Sequence, residues 1–130
     1  NGHVLASIGS EVGPVDYTVF TTTDAFMQKN PDVLQAWTNA VARAQKYVQS
    51  TPAADQAKQI AEYFPGMSQP ELAKAIERYR SYKLWKTSPL VEKAAIEQLQ
   101  DMLAASGVLE SAKRVKYEQV VVTDFAAKAK

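Results

Sequence analysis

The sequence contains no cysteine and a single histidine, His3. Disulfides, thiolate nucleophiles and cysteine-ligated metals are therefore excluded. A serine–histidine–aspartate arrangement would have to run through His3. That residue stands beside glycine with no nucleophile signature near it, and we read it as a loop or strand-edge position. Without paired histidines, and with carboxylates scattered along helices, the chain has no metal-ligand spacing. The glycines form neither GxGxxG nor GxxxxGK[ST], so no nucleotide-phosphate cradle is written and no cofactor is expected. There is no apolar run near the ~20 residues a membrane span needs. Neither charge sign dominates, with 15 basic against 14 acidic residues. That balance gives no electrostatic footprint for nucleic acid or anionic lipid.

What remains is a chain of 130 residues, 46% apolar, the size and composition of one globular unit with one core. Its opening is β-like. "HVLASIGS" reads as a strand, "EVGPVD" as a turn set by Gly13 and Pro14, and "YTVFTTT" as the best strand of the chain. In the last, Tyr17, Val19 and Thr21 alternate with Thr18, Phe20 and Thr22.

Everything after Thr22 reads as helix. Thr23 or Asp24 caps "DAFMQKN", which Pro31 stops. Asn30 as N-cap with Pro31 at the first position starts a helix over about 31–50. Its stripe runs through Val33, Leu34, Trp37, Val41, Ala44, Tyr47 and Val48, and Trp37 is assigned to the core. Thr51 and Pro52 open the next helix, with Ala57, Ile60, Ala61 and Phe64 inward. Ser68 and Glu71 stand at capping-box spacing before Leu72, Ile76 and Tyr79. Ser88 and Pro89 start a fourth helix that buries Ala95, Ile96, Leu99 and Met102 and ends at Gly107. "EQVVV" fits either a strand or a helical turn, and Thr123 caps a last turn. Unequal helix lengths and the lack of a recurring motif exclude a helical repeat.

Two constellations invite chemistry, and each has a plainer reading. Glu97 and Asp101 stand four apart, as on any polar helix face. "ERYRSYKLWK" mixes bases and aromatics, which also describes a helix end where Tyr79 and Trp85 pack inward and Arg78, Arg80 and Lys83 reach water.

The order of these signals resembles the C-terminal part of the solute-binding proteins of ABC importers for nitrate, sulfonates, taurine and thiamine-pyrimidine precursors. The resemblance rests on the Gly-Pro turn followed by "YTVF", "DAFMQKNP" and "VLQAWTNAVARAQKYV". It continues through "IAEYFPGMSQPELAKAIERYRSYKLWKTSPLVEKAAIEQLQDMLAASG" and "VKYEQVVVTDFA". It implies an α/β, type II periplasmic binding protein-like fold, of which this chain would be a mostly helical portion with one or two N-terminal strands. Residues 1–22 would be a strand and hinge segment of the inter-lobe crossing, and 23–130 a helical part packed on the first lobe. Ser10, Glu11, Tyr17 and Thr18 would line the cleft, with Gly13 and Pro14 as hinge. The implied function is non-covalent, non-enzymatic binding of a small molecule and its delivery to an ABC permease, in a periplasmic or extracytoplasmic setting. The signal and the remaining lobes would lie in sequence outside this chain, and the isolated portion would self-associate. A pyrimidine-precursor synthase-like enzyme and an independent helical interaction module are the alternatives.

Overall fold

A computed structural model describes residues 3 and 5–130. The chain folds as α1 (Ile8–Val12), α2 (Asp24–Lys29), α3 (Pro31–Ser50), α4 (Ala53–Ile60), α5 (Gln69–Ser81), α6 (Lys93–Ala105), α7 (Tyr117–Val120) and α8 (Asp124–Ala127). Short 3₁₀ turns cover Ala61–Tyr63 and Ser111–Lys113. Among the described residues no helix is long and apolar enough to cross a membrane.

The local signals act where the residues place them. Thr23 is the N-cap of α2, its hydroxyl accepting the Phe26 N–H at 3.2 Å. Ser68 and Glu71 close a reciprocal box at the start of α5: the Ser68 hydroxyl accepts the Glu71 N–H at 3.4 Å, and the Glu71 carboxylate accepts the Ser68 N–H at 2.8 Å. Past α6, Gly107 adopts φ +76, and the N–H groups of Val108 and Leu109 fold back onto the Leu103 carbonyl at 3.0 Å.

Two expected starts differ. Asn30 precedes Pro31 as expected, but its side chain donates backward to the Phe26 carbonyl at 3.3 Å instead of capping α3. The helix expected from Ser88 begins at Lys93; the Ser88 hydroxyl instead accepts the Leu90 N–H in a tight turn at 3.2 Å.

The α/β expectation is overturned. Among the described residues there is neither strand nor sheet. In place of the first expected strand, Ile8–Val12 is helical, with Ser7 in extended N-cap geometry and Gly13 ending it; residue 4 lies outside the described part. Residues 17–22 adopt no regular structure, and their backbone makes no hydrogen bond to the rest of the described chain. The physical reason is pairing. A β-prone run becomes a strand only against a ladder partner, and among the described residues no second extended segment lies beside this one.

The core is small and lies at one corner. Ala53 and Ala57 of α4 pack against Leu72 and Ile76 of α5, with Ile60, Ala61, Ala73 and Trp85 closing around them. Alanines on α4 let α5 approach closely, and Ala57 is wholly buried. The C-terminus of α3 docks here through its free carbonyls. The Gln56 amide donates to Val48 at 2.9 Å and Thr51 at 3.0 Å; the Arg80 guanidinium donates to Val48 at 2.6 Å and also to Thr51. Buried Gln56 and charged Arg80 thus satisfy acceptors that a helix end leaves open, with the cation at the negative pole. Farther along, Gln100 forms a two-way amide bridge with the backbone of Val115, at 2.8 and 3.1 Å. The Tyr117 hydroxyl donates to the Val91 carbonyl at 2.6 Å, and Gln35 ties α3 to the Phe125 carbonyl at 3.0 Å.

Candidate functional site

The expected site residues fall on either side of the Gly13–Pro14 turn. Ser10 and Glu11 sit on α1, exposed. Tyr17 and Thr18 follow the turn, also exposed, Tyr17 at 79%. No hydrogen bond joins the two pairs among the described residues, so they share a segment but not a preformed pocket. Gly13 has φ +87 and ψ −173, a region that only glycine occupies readily, so the turn depends on this residue. A Cβ there would meet nothing within 4 Å; the constraint is backbone conformation, not space. His3 is exposed.

Between the two pairs lies a residue that the sequence reading passed over. Asp16 is 8% exposed, directly before the exposed residues 17–26. Its carboxylate accepts from the Lys86 ammonium at 3.0 and 2.9 Å and from the Glu92 N–H at 3.1 Å. The segment is fixed to the α5–α6 connector at this point. A weaker tie follows from the Gln98 amide to the Val12 carbonyl, at 3.4 Å. One available signal was an acid placed directly before an uncharged β-prone run, where burial demands a partner. The identity of that partner, 70 residues away, was not readable locally.

Beyond Asp16 the chain presents aromatic and branched side chains to solvent. Phe20 stands edge-on to Trp37 of α3, with ring centroids 5.2 Å apart and planes at 84°. Val33 lies one turn before Trp37 on the same helix face. Phe20 is 74%, Val33 55% and Trp37 53% exposed. The placement of Trp37 in the core is therefore corrected: α3 carries an apolar stripe but buries none of its residues. The two tryptophans differ, because Trp85 is half-buried against the corner core and meets Tyr79 edge-on at 5.5 Å. "ERYRSYKLWK" thus packs through Trp85, while Tyr79 stays 48% exposed and Arg80, expected in water, turns onto the end of α3.

The chain as a whole exposes 9964 Å² for a mass of 14.3 kDa. A compact monomer of that mass exposes about 6,800 Å². Surface is left uncovered well beyond the scattered apolar exposure of ordinary proteins.

Two open depressions lie elsewhere. One, of about 390 Å³, has mixed charge and is lined by Lys93, Glu97, Arg114, Lys116, Tyr117 and Glu118. Lys93 pairs with Glu118 at 3.1 Å, and Arg114 with Asp101 at 2.6 Å. The bond to Glu118 raises the Lys93 pKa; the Glu118 pKa is lowered by its own backbone N–H first and by Lys93 second. The other, about 570 Å³, is lined by Arg43, Lys46, Gln49, Thr87 and Lys130 beside Ala42. Neither includes Ser10, Glu11, Tyr17 or Thr18, and both leave their charged groups in water, where ion pairs are weak.

Comparison with known proteins finds one curated relative, the Bacillus subtilis (strain 168) protein named "Putative binding protein YtlA". It is 32% identical over 127 residues, covering 98% of this chain. The chain spans 37% of that relative's length. No family profile matches the chain, and no solved structure gives a significant match.

Proposed function

We propose that this chain is the helical portion of a longer extracytoplasmic solute-binding protein, which holds a small molecule non-covalently and delivers it to an ABC permease. The observation that carries the reading is the uncovered surface: 9964 Å² where about 6,800 Å² is expected, with Phe20, Val33 and Trp37 together on it. A surplus of this size exceeds what most stable protein partners cover on one side. It suits a polypeptide that folds against a larger body. The named relative supports this reading in two ways, since it is called a binding protein and is much longer than the matched stretch. In this reading the body's apolar surface covers Phe20 and the Val33–Trp37 face of α3. Ser10, Glu11, Tyr17 and Thr18 then stand beside that interface, as cleft residues would.

The test is calorimetry of the longest polypeptide that carries this chain, against nitrate, an alkanesulfonate, taurine and a thiamine-pyrimidine precursor, with uptake measured in cells lacking it. The reading expects saturable heat with one class, no chemical change in that compound, and lost uptake. Turnover of the compound would favour the synthase alternative, and unaffected uptake would overturn delivery. A second reading, an independent helical interaction module, has one observation in its favour: the corner of α4, α5 and the end of α3 has its own core. A stable monomer that binds a protein partner and no solute would favour it.

A further inference from the structure

We propose that Asp16 is a positioning residue that couples the candidate binding segment to helix α6, so that residues 14–20 and the first turn of α6 are ordered or released together. The need arises at α6. Its N-cap residue Glu92 makes no side-chain cap, its first turn holds no acid, and it opens on Lys93. A helix start of this kind leaves N–H groups unmet and sets a cation at the positive pole. Asp16 meets one of those N–H groups from 76 residues away, accepting that of Glu92 at 3.1 Å. The same carboxylate holds Lys86 in the connector that delivers the chain to α6.

The geometry favours coupling over simple attachment. Asp16 is the one buried ionisable group among the described residues. If the segment leaves, the carboxylate, the Lys86 ammonium and the Glu92 N–H all lose their partner in one step. The Gln98–Val12 bond, also to α6, goes with them. The Gly13 turn lies three residues before Asp16, where the chain can redirect without disturbing the corner core. A partner that grips Tyr17 and Phe20 would thus act on α6 through Asp16. This use of the coupling rests on the reading of the segment around Phe20 as an interface. The coupling itself is a property of the chain alone.

Residue-resolved hydrogen exchange on the longest polypeptide that carries this chain, with no solute added, tests it. Asp16→Ala is expected to speed exchange of the Glu92 to Ile96 amides about tenfold, as for loss of a charged hydrogen bond, while α4 and α5 keep wild-type rates. Asp16→Asn keeps one acceptor and is expected to restore part of the protection at Glu92. Lys86→Met removes the ion pair that holds Asp16 and is expected to loosen residues 14–20 and the first turn of α6 together, by less than Asp16→Ala does. Should Asp16→Ala fail to fold, the Asn and Met variants decide alone. Unchanged α6 exchange in Asp16→Asn and Lys86→Met, or equal acceleration across all helices, would overturn the coupling. Solute binding is absent from this experiment, so its outcome is separate from that of the proposed function.

Discussion

The corner formed by α4, α5 and the end of α3 differs sharply from the other end of the same α3. At the corner, alanines and two branched side chains close a core, Gln56 and Arg80 cover open carbonyls, and Trp85 seals one side. At the other end α2 and α8 pack along α3, with Gln35 holding the Phe125 carbonyl, yet Val33 and Trp37 of the same apolar stripe stay more than half exposed, and Phe20 meets the Trp37 ring edge-on. One helix thus meets a finished interior at its C-terminus, while the Val33 and Trp37 face nearer its N-terminus meets water. Amphipathic patterning states that a face is to be covered. It does not state that the covering element lies within the same chain.

Four substitutions sharpen or break this contrast. The largest effect belongs at the corner: Leu72→Ala is expected to cost about 2–5 kcal/mol, because α4 and α5 are held too tightly to collapse into the void. Chemical denaturation measures it, and a loss below about 1 kcal/mol would mean that the corner is not the stable unit. Gly13→Val comes next, at about 1–3 kcal/mol from the φ +87 conformation, confined to residues 8–20 in exchange experiments. Ser68→Ala is expected to cost about 1 kcal/mol through the lost cap, seen as fraying at the start of α5. Trp37→Ala is the smallest, below about 1 kcal/mol in the chain alone, because half the ring is already in water. The same change should weaken association with a larger partner far more than it weakens the fold. A large drop in the stability of the isolated chain would place Trp37 in a hidden core.

The same cap has a pH signature. The Ser68 hydroxyl first, and the Ser68 N–H second, hold the Glu71 pKa below the ordinary carboxylate value. A lowered folded pKa means that the stabilisation is fully present above the unfolded value and is lost as pH falls through the folded one. Fraying at the start of α5 should therefore appear below the usual carboxylate range, and Glu71→Gln, which cannot titrate, should abolish that onset.

Much of the helical framework was legible from side-chain chemistry over three or four positions. Pro31 with its stripe gave α3, Ser68 with Glu71 gave the start of α5, and Gly107 gave the end of α6. The α/β assignment failed at "YTVFTTT". Its β-branched and aromatic residues state a preference that only a neighbouring strand can realise, and none is present among the described residues. Trp37 failed for the same reason, since its periodicity was read correctly while no element among the described residues covers its ring. Asp16, Gln56 and Arg80 were missed because their work depends on backbone carbonyls and N–H groups distant in sequence. A side-chain pattern does not record those groups.

The central claim is that the face around Trp37 is built to be covered and the face around Trp85 already is. Oxidative footprinting of the two tryptophans, in this chain alone and in the longest polypeptide that carries it, measures the difference directly. The account predicts fast labelling of Trp37 and slow labelling of Trp85 in the dilute chain, with Trp37 falling to the Trp85 rate in the longer polypeptide. Equal labelling of both residues in the dilute chain, or undiminished labelling of Trp37 in the longer polypeptide, would contradict it.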